Sequence, residues 1–464
     1  MAADRSDTAT PPATKVNNPS RAARARPFWG TALALALVIG VSLGRFAGIG
    51  GPAPDGPPAA TGISRSATDP IDALEAAVEQ QPTSSDALVK LGLASLAKFT
   101  ETADPAWLAR ARSVIDRAVK IDPVGPAVLL SQGLRYLAEH DFERALDAGR
   151  AAAAANPGAV EPLGVVVDAL IELGRYDEAV EAAQQMVDTK PGLAAYARVS
   201  YLRELHGDHA GAVDAMTQAL RAASFPADIA RVQTLLGDLH RLEGNLADAE
   251  TSYKRALARK PRTAGALIGL ARVEVARGDL DGARSRLEST VKVLPLPEAV
   301  GLLADVLSAA GDQRGARAQV EVVRSIETLN RASGISVDLE LALFEANHAR
   351  DEGGRPAEAI QLATQAQASR PTIFTEDALG WALRQAGRPA EALAHARNAT
   401  ARGTRHAELW WHLAAIEADL EMSEDAARHL GTAFDINPHL NPRDLPEAEA
   451  LGSRLGVAPA PASK

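Results

Sequence analysis

A period of about 34 residues constrains this 464-residue chain more than any other feature of it. Prolines fall at 82, 123, 157, 191, 226, 261, 295, 371 and 438; from Pro123 the gaps are 34, 34, 35, 35 and 34 residues, and the last two are about two periods each. A second marker, an alanine five residues after a short polar turn, recurs as Ala145, Ala179, Ala212, Ala249, Ala283, Ala316, Ala359, Ala392 and Ala426. The turns read HDFERA, GRYDEA, GDHAGA, GNLADA, GDLDGA, GDQRGA and twice GRPAEA, usually with Gly where a helix must end in a left-handed residue. Apolar residues at helical spacing, such as Leu235, Leu236, Leu239 and Leu242, precede each turn, and another such stretch follows, closed by Pro. One unit is therefore a helical hairpin. It cannot bury its apolar face alone and must stack on its neighbours. The composition agrees: 46% of residues are hydrophobic but only 4% aromatic, so Ala, Leu and Val predominate, as closely packed helices require and a large β domain does not.

The pattern resembles the tetratricopeptide repeat family, whose signature is W-x2-L-G-x2-Y, then A-x3-F, then P. The best copy is Leu236-Gly237-x2-His240, Ala249-x3-Tyr253 and Pro261. Small residues recur at the Gly237 place as Gly92, Gly133, Ser200, Ala271, Ala304, Gly380 and Ala414, where paired helices must approach closely. Val167 and Asn347 depart from it, and the first large aromatic survives only as Tyr196 and Trp410. The resemblance implies an all-α, right-handed superhelical solenoid of about ten hairpins over residues 71–440. The repeats are expected at 85–123, 126–157, 160–191, 193–225, 230–261, 264–295, 297–328, 340–371, 373–404 and 407–438, with a half-repeat at 70–82 as a cap. Two irregularities interrupt them: TETADPAWL between the helices of the first repeat, and NRASGISVD, residues 330–338, read as a tolerated loop or a hinge. Residues 441–464 read as a C-terminal cap and flexible tail. A HEAT-type solenoid would have a longer period.

Ahead of the repeats, residues 1–26 carry a local charge of +3 and read as disordered, and residues 50–70 form a Pro/Gly-rich linker. Between them FWGTALALALVIGVSLG, residues 28–44, has no formal charge; extended to 27–49 it is long enough for one transmembrane helix or uncleaved signal anchor. A cleaved signal peptide is the alternative, although no A-x-A site follows closely. The Lys/Arg excess before the span places the N-terminus in the cytoplasm and the repeats outside a bacterial inner membrane. Residues 46–464 hold 43 Lys and Arg against 57 Asp and Glu, which argues against nucleic acid as a partner.

No cysteine is present, so disulfides, thiolate metal sites and Cys nucleophiles are excluded. No phosphate loop, zincin helix, nucleophile elbow or dinucleotide fingerprint occurs, and the ten histidines lack ligand spacing, so neither an enzyme, a metal nor a cofactor is expected. Stacked hairpins of this family bind extended peptides in a groove lined mainly by first helices. On that face the first two repeats present an aliphatic strip, Val89, Leu93, Leu96, Leu130, Leu134 and Leu137. The last three repeats present Phe344, His348, Phe374, Asp377, Trp381, Arg384 and Trp411, a concentration in a chain with 18 aromatics. Such residues anchor a peptide or stack on a sugar ring, unless Phe344, Trp381 and Trp411 pack between repeats. The expectation is a membrane-anchored scaffold for protein or peptide partners, similar in architecture to bacterial tethered repeat proteins that assist envelope assembly, secretion or cytochrome c maturation. The alternatives are a receptor for a glycan or small molecule using the C-terminal aromatics, and a regulator of a neighbouring enzyme or transporter.

Overall fold

A computed structural model describes residues 70–334, 338–351 and 353–459. The basic segment 1–26, the membrane span 27–49, the linker up to residue 69 and the last residues of the tail lie outside the described residues. Among the described residues no helix is long and apolar enough to cross a membrane.

The described residues form 22 helices and no strand. A single helix, α1 (Pro70–Gln80), precedes ten hairpins. The first five are α2 (Ser85–Thr102) with α3 (Pro105–Ile121), α4 (Pro126–Ala138) with α5 (Phe142–Ala155), α6 (Glu161–Glu172) with α7 (Tyr176–Thr189), α8 (Leu193–Leu205) with α9 (His209–Ala222), and α10 (Pro226–Leu242) with α11 (Leu246–Arg259). Then follow α12 (Ala264–Ala276) with α13 (Leu280–Val293), α14 (Pro297–Ala309) with α15 (Gln313–Ala332), α16 (Asp338–Asn347) with α17 (Pro356–Ser369), α18 (Ile373–Gln385) with α19 (Pro389–Thr400), and α20 (Ala407–Asp419) with α21 (Ser423–Ile436). A last single helix, α22 (Leu445–Leu455), closes the array.

The local chemistry of the turns accounts for this regularity. Gly207, Gly278 and Gly311 take φ of 75°, 78° and 86°, ending a first helix where a side chain would be strained. The following Asp208, Asp279 and Asp312 then accept a backbone N–H at the start of the second helix. His140 and Glu421 occupy the same left-handed position without being glycine. The nine marker alanines, in the first turns of the second helices, are all buried. In the first repeat the additional residues do not form a loop. They lengthen α2 to 18 residues and α3 to 17, because Asp104 caps α3 and Pro105 opens it. The tract after the seventh repeat likewise extends α15 to Ala332 before Gly334 turns the chain.

The array coils far enough to meet itself. Turns within repeats three, four and five abut the connections that follow repeats eight, nine and ten. Arg370 donates to Glu172 at 2.6 and 3.0 Å, the Tyr176 hydroxyl accepts the Ile373 N–H at 3.1 Å, and Arg405 holds Glu243 at 2.6 and 2.7 Å. His406 lies 3.0 Å from Glu204, and Asn437 donates to the Arg241 carbonyl at 3.0 Å. One hydrophobic core consequently joins Leu170, Ile171 and Tyr176 of the third repeat to Ile373, Phe374 and Trp381 of the ninth. We call this line of contacts the seam.

Candidate partner-binding surface

The sequence nominates the inner faces of α16, α18 and α20, and the structure buries six of its seven residues between neighbouring helices. Trp381 and Trp411 are 1% and 0% exposed and meet edge to face at 6.4 Å between ring centres. Trp381 stacks on His412 at 3.9 Å and 12°, and its indole N–H donates to the Asn347 side-chain oxygen at 2.8 Å. Phe374 is buried edge-on to His406. Asp377 faces the His412 Nδ1 at 2.8 Å. Phe344 alone is half-buried, lying over His348 at 4.2 Å between ring centres. The aliphatic strip is similarly covered, with Leu93 and Leu130 half-buried and the other four buried. Fitting α18 against α20 requires these large side chains to fill the space between repeats, so they present almost no ring surface to a ligand.

What this face does present is charge. Arg384, buried itself, donates to Asp419 at 2.8 Å and to Glu447 at 2.6 Å, with its guanidinium over Trp381. Arg443 donates to Asp305 and to Asp351, each at 3.0 Å, and the His348 Nε2 lies 3.4 Å from the same Asp305 oxygen. Asp305, His348, Asp351, Arg384 and Asp419 all sit at or just beyond the C-terminal ends of first helices, in repeats seven to ten. Burial alone would lower the His412 pKa, but Asp377 at 2.8 Å and Asp444 at 3.9 Å outweigh it and hold it up at about 10. At neutral pH His412 is therefore a buried cation between two carboxylates. Burial pushes Asp305 up, but His348 and Arg443 overcome it, so this carboxyl lies below its ordinary range.

Tetratricopeptide repeat models match the chain at residues 136–200 and 240–306, and again at 196–264 and 378–438. This is a tetratricopeptide repeat protein. A thermophilic TPR protein of Thermus thermophilus is 19% identical over 41% of this chain and 100% of its own length, with a TM-score of 0.38. The pilF protein of Pseudomonas aeruginosa is 20% identical, over 48% of this chain and 96% of that one, at a TM-score of 0.35. The APC/C Cut9–Hcn1 hetero-tetramer is 13% identical over 82% of this chain and 92% of the matched one, with a TM-score of 0.36. No curated protein matches the sequence.

Of the nominated residues, His348 and Arg384 take part in the charged rim of this tetratricopeptide array; Trp381 lies under the Arg384 guanidinium and against Trp411, while Phe374 packs at the other end of α18, on His406 at the seam. Asp305, Asp351, Asp419, Arg443 and Glu447 are missing from the sequence reading. One signal could have found some of them. A carboxylate in the last turn of a helix opposes the macrodipole and needs a cation. Asp305 and Asp419, like Glu172, Glu204 and Glu243 at the seam, are carboxylates in or next to such a last turn, and each has a cationic or imidazole partner from outside its own repeat.

Proposed function

We propose that this chain is a scaffold that binds protein partners on the charged rim of repeats seven to ten, held at a membrane by residues 27–49 with its repeats outside the cytoplasm. The repeat match supports a role in protein interaction. The observation that carries the choice of surface is the run of Asp305, Asp351, Arg384 and Asp419 at successive first-helix ends, which offers a partner charge at repeat spacing. Burial of Trp381 and Trp411 leaves neither indole ring exposed for a sugar, so the protein-binding reading is favoured over a glycan receptor. The chain is a binder rather than an enzyme on this reading, with assistance to envelope assembly as its setting.

A photo-crosslinking residue placed at Arg350, exposed on that rim, should give discrete protein adducts in intact membranes, while one at Lys254, exposed on a second helix, should not. The same adducts from both positions, or none from either, would count against this surface. A reporter active only outside the cytoplasm, fused after residue 464, should be active; a silent fusion would refute the orientation.

A further inference from the structure

The rim is already occupied, by the chain's own C-terminal segment. After Asn437 has bonded to repeat five across the seam, the chain turns at Asn441, whose side-chain oxygen accepts the N–H groups of Arg443 and Asp444 at 3.0 and 2.9 Å. This turn aims Arg443 at the paired carboxylates Asp305 and Asp351. Four residues on, at the start of α22, Glu447 meets the paired guanidinium groups of Arg384, at 2.6 Å, and Arg350, at 3.9 Å. A helix that only covered the last hairpin would need no more than its apolar side. Ala448 and Leu451 supply that, and Gly452 packs close to the Phe434 ring. The charged contacts instead reach back over four repeats.

Without this segment the rim would hold Asp305 beside Asp351, with His348 as the remaining partner of Asp305, and Arg350 near Arg384, with Asp419 as the remaining partner of Arg384, so each like-charged pair would be short of one counter-charge. Those pairs define a complementary ligand: a cation and, four residues later, a carboxylate, at the entry to a short helix. The contact is also open to a competitor. The Glu447 side chain is 44% exposed and Asp419 37%, and a cavity of about 390 Å³ lined by Ser308, Arg324, His348 and Asp351 lies beside Arg443.

We propose that residues 438–457 are an internal pseudo-ligand, and that the partner protein displaces them with a segment carrying the same cation-then-carboxylate pattern at a helix start. This rests on the reading of the rim as the binding surface and names both the chemistry of the partner and its control. The favourable charge pairs must be exchanged rather than newly made, so binding is limited to segments that reproduce both.

The test uses the full chain and a labelled peptide of residues 438–458. In a chain carrying Arg443→Glu and Glu447→Arg, like charges oppose each other and the internal segment is released. The wild-type peptide should bind this variant at least tenfold more tightly than it binds the wild-type chain, and a peptide carrying the same two exchanges should not bind it. Equal binding of the wild-type peptide to both chains, or of both peptides to the variant, overturns the proposal. Should the variant lose its helical circular dichroism, hydrogen exchange on the wild-type chain decides. Amides of α22 should exchange at least tenfold faster than those of α20, and exchange of the two in step overturns the proposal. Neither measurement involves a foreign protein, so failure to capture a partner and failure of the pseudo-ligand are separate results.

Discussion

Tyr253 illustrates how tightly single residues are set in this array. Its ring is fully buried between Gly237 of its own repeat and Gly269 of the next, and its hydroxyl donates to Asp238 at 2.8 Å. A methyl group at Gly269 would run into the ring. Helix propensity alone favours alanine over glycine by about 1 kcal/mol, whereas overpacking a filled core costs about 1–3 kcal/mol. Gly269→Ala should therefore lower the unfolding free energy read from chemical denaturation, by a net of up to ~2 kcal/mol, while Gly158→Ala, with open space around it, should shift it little. Glu327 offers a test of a different kind. It is 2% exposed on α15, and burial, reinforced by Glu340 against the weaker pull of Asn330 and Arg331, pushes its carboxyl up to about 7. Its folded pKa lies above the unfolded value, so the folded state holds this proton more tightly. The contribution is whole below about pH 4.5 and is lost as pH rises to about 7. Glu327→Gln should raise the unfolding free energy at pH 8, by on the order of 1–3 kcal/mol, and leave it nearly unchanged at pH 4. Equal shifts in thermal melts at both pH values would remove the carboxyl as the cause.

At the scale of elements, the turn between paired helices serves two purposes that can be separated. Gly207 and Gly387 both take φ near 75°, and alanine at either should cost about 1 kcal/mol in backbone strain. Gly387 has open space around it, but a side chain at Gly207 would fall on the carbonyl oxygen of Gly403 across the seam, as one at Gly174 would on that of Pro371. Gly207→Ala should consequently destabilise more than Gly387→Ala, by a further ~1–3 kcal/mol from steric displacement. Chemical denaturation of the two variants side by side provides the comparison, and equal losses would mean that the seam yields freely. The need for a left-handed residue was legible in the sequence, because it follows from how one helix ends. The need for close approach at Gly174 and Gly207, but not at Gly387, was not legible, because the atoms concerned lie some 200 residues further along the chain. The residues TETADPAWL show the same limit from the other side: they broke the spacing of the markers, yet Asp104 and Pro105 place them inside two longer helices.

For the whole molecule, the seam decides whether the array is open or closed. Arg370 is its most heavily engaged side chain, buried, bonded to Glu172, 3.4 Å from Glu340 and lying over the Phe142 ring. Removing one member of a buried ion pair leaves the other charge uncompensated, at a cost of about 3–5 kcal/mol. Arg370→Ala should therefore loosen the coil, increasing the radius of gyration in small-angle scattering while the helical circular dichroism stays nearly constant. An unchanged radius would show that the shared core of repeats three and nine holds the seam without its charges. Repeat number, helix pairing, turn type and the small residues between helices were determined by the sequence alone, because each depends on contacts within one period or between adjacent ones. The candidate site was legible only in part. Trp381 and Trp411 stood out by rarity, but rarity does not distinguish a side chain that fills a gap from one that grips a ligand. Which first-helix residues remain accessible, which stray carboxylates meet a cation, and that residues 438–457 cover the rim were decided by the tertiary structure. Each depends on how far the coil turns, and that angle is the sum of small packing offsets over many repeats, which no single period records.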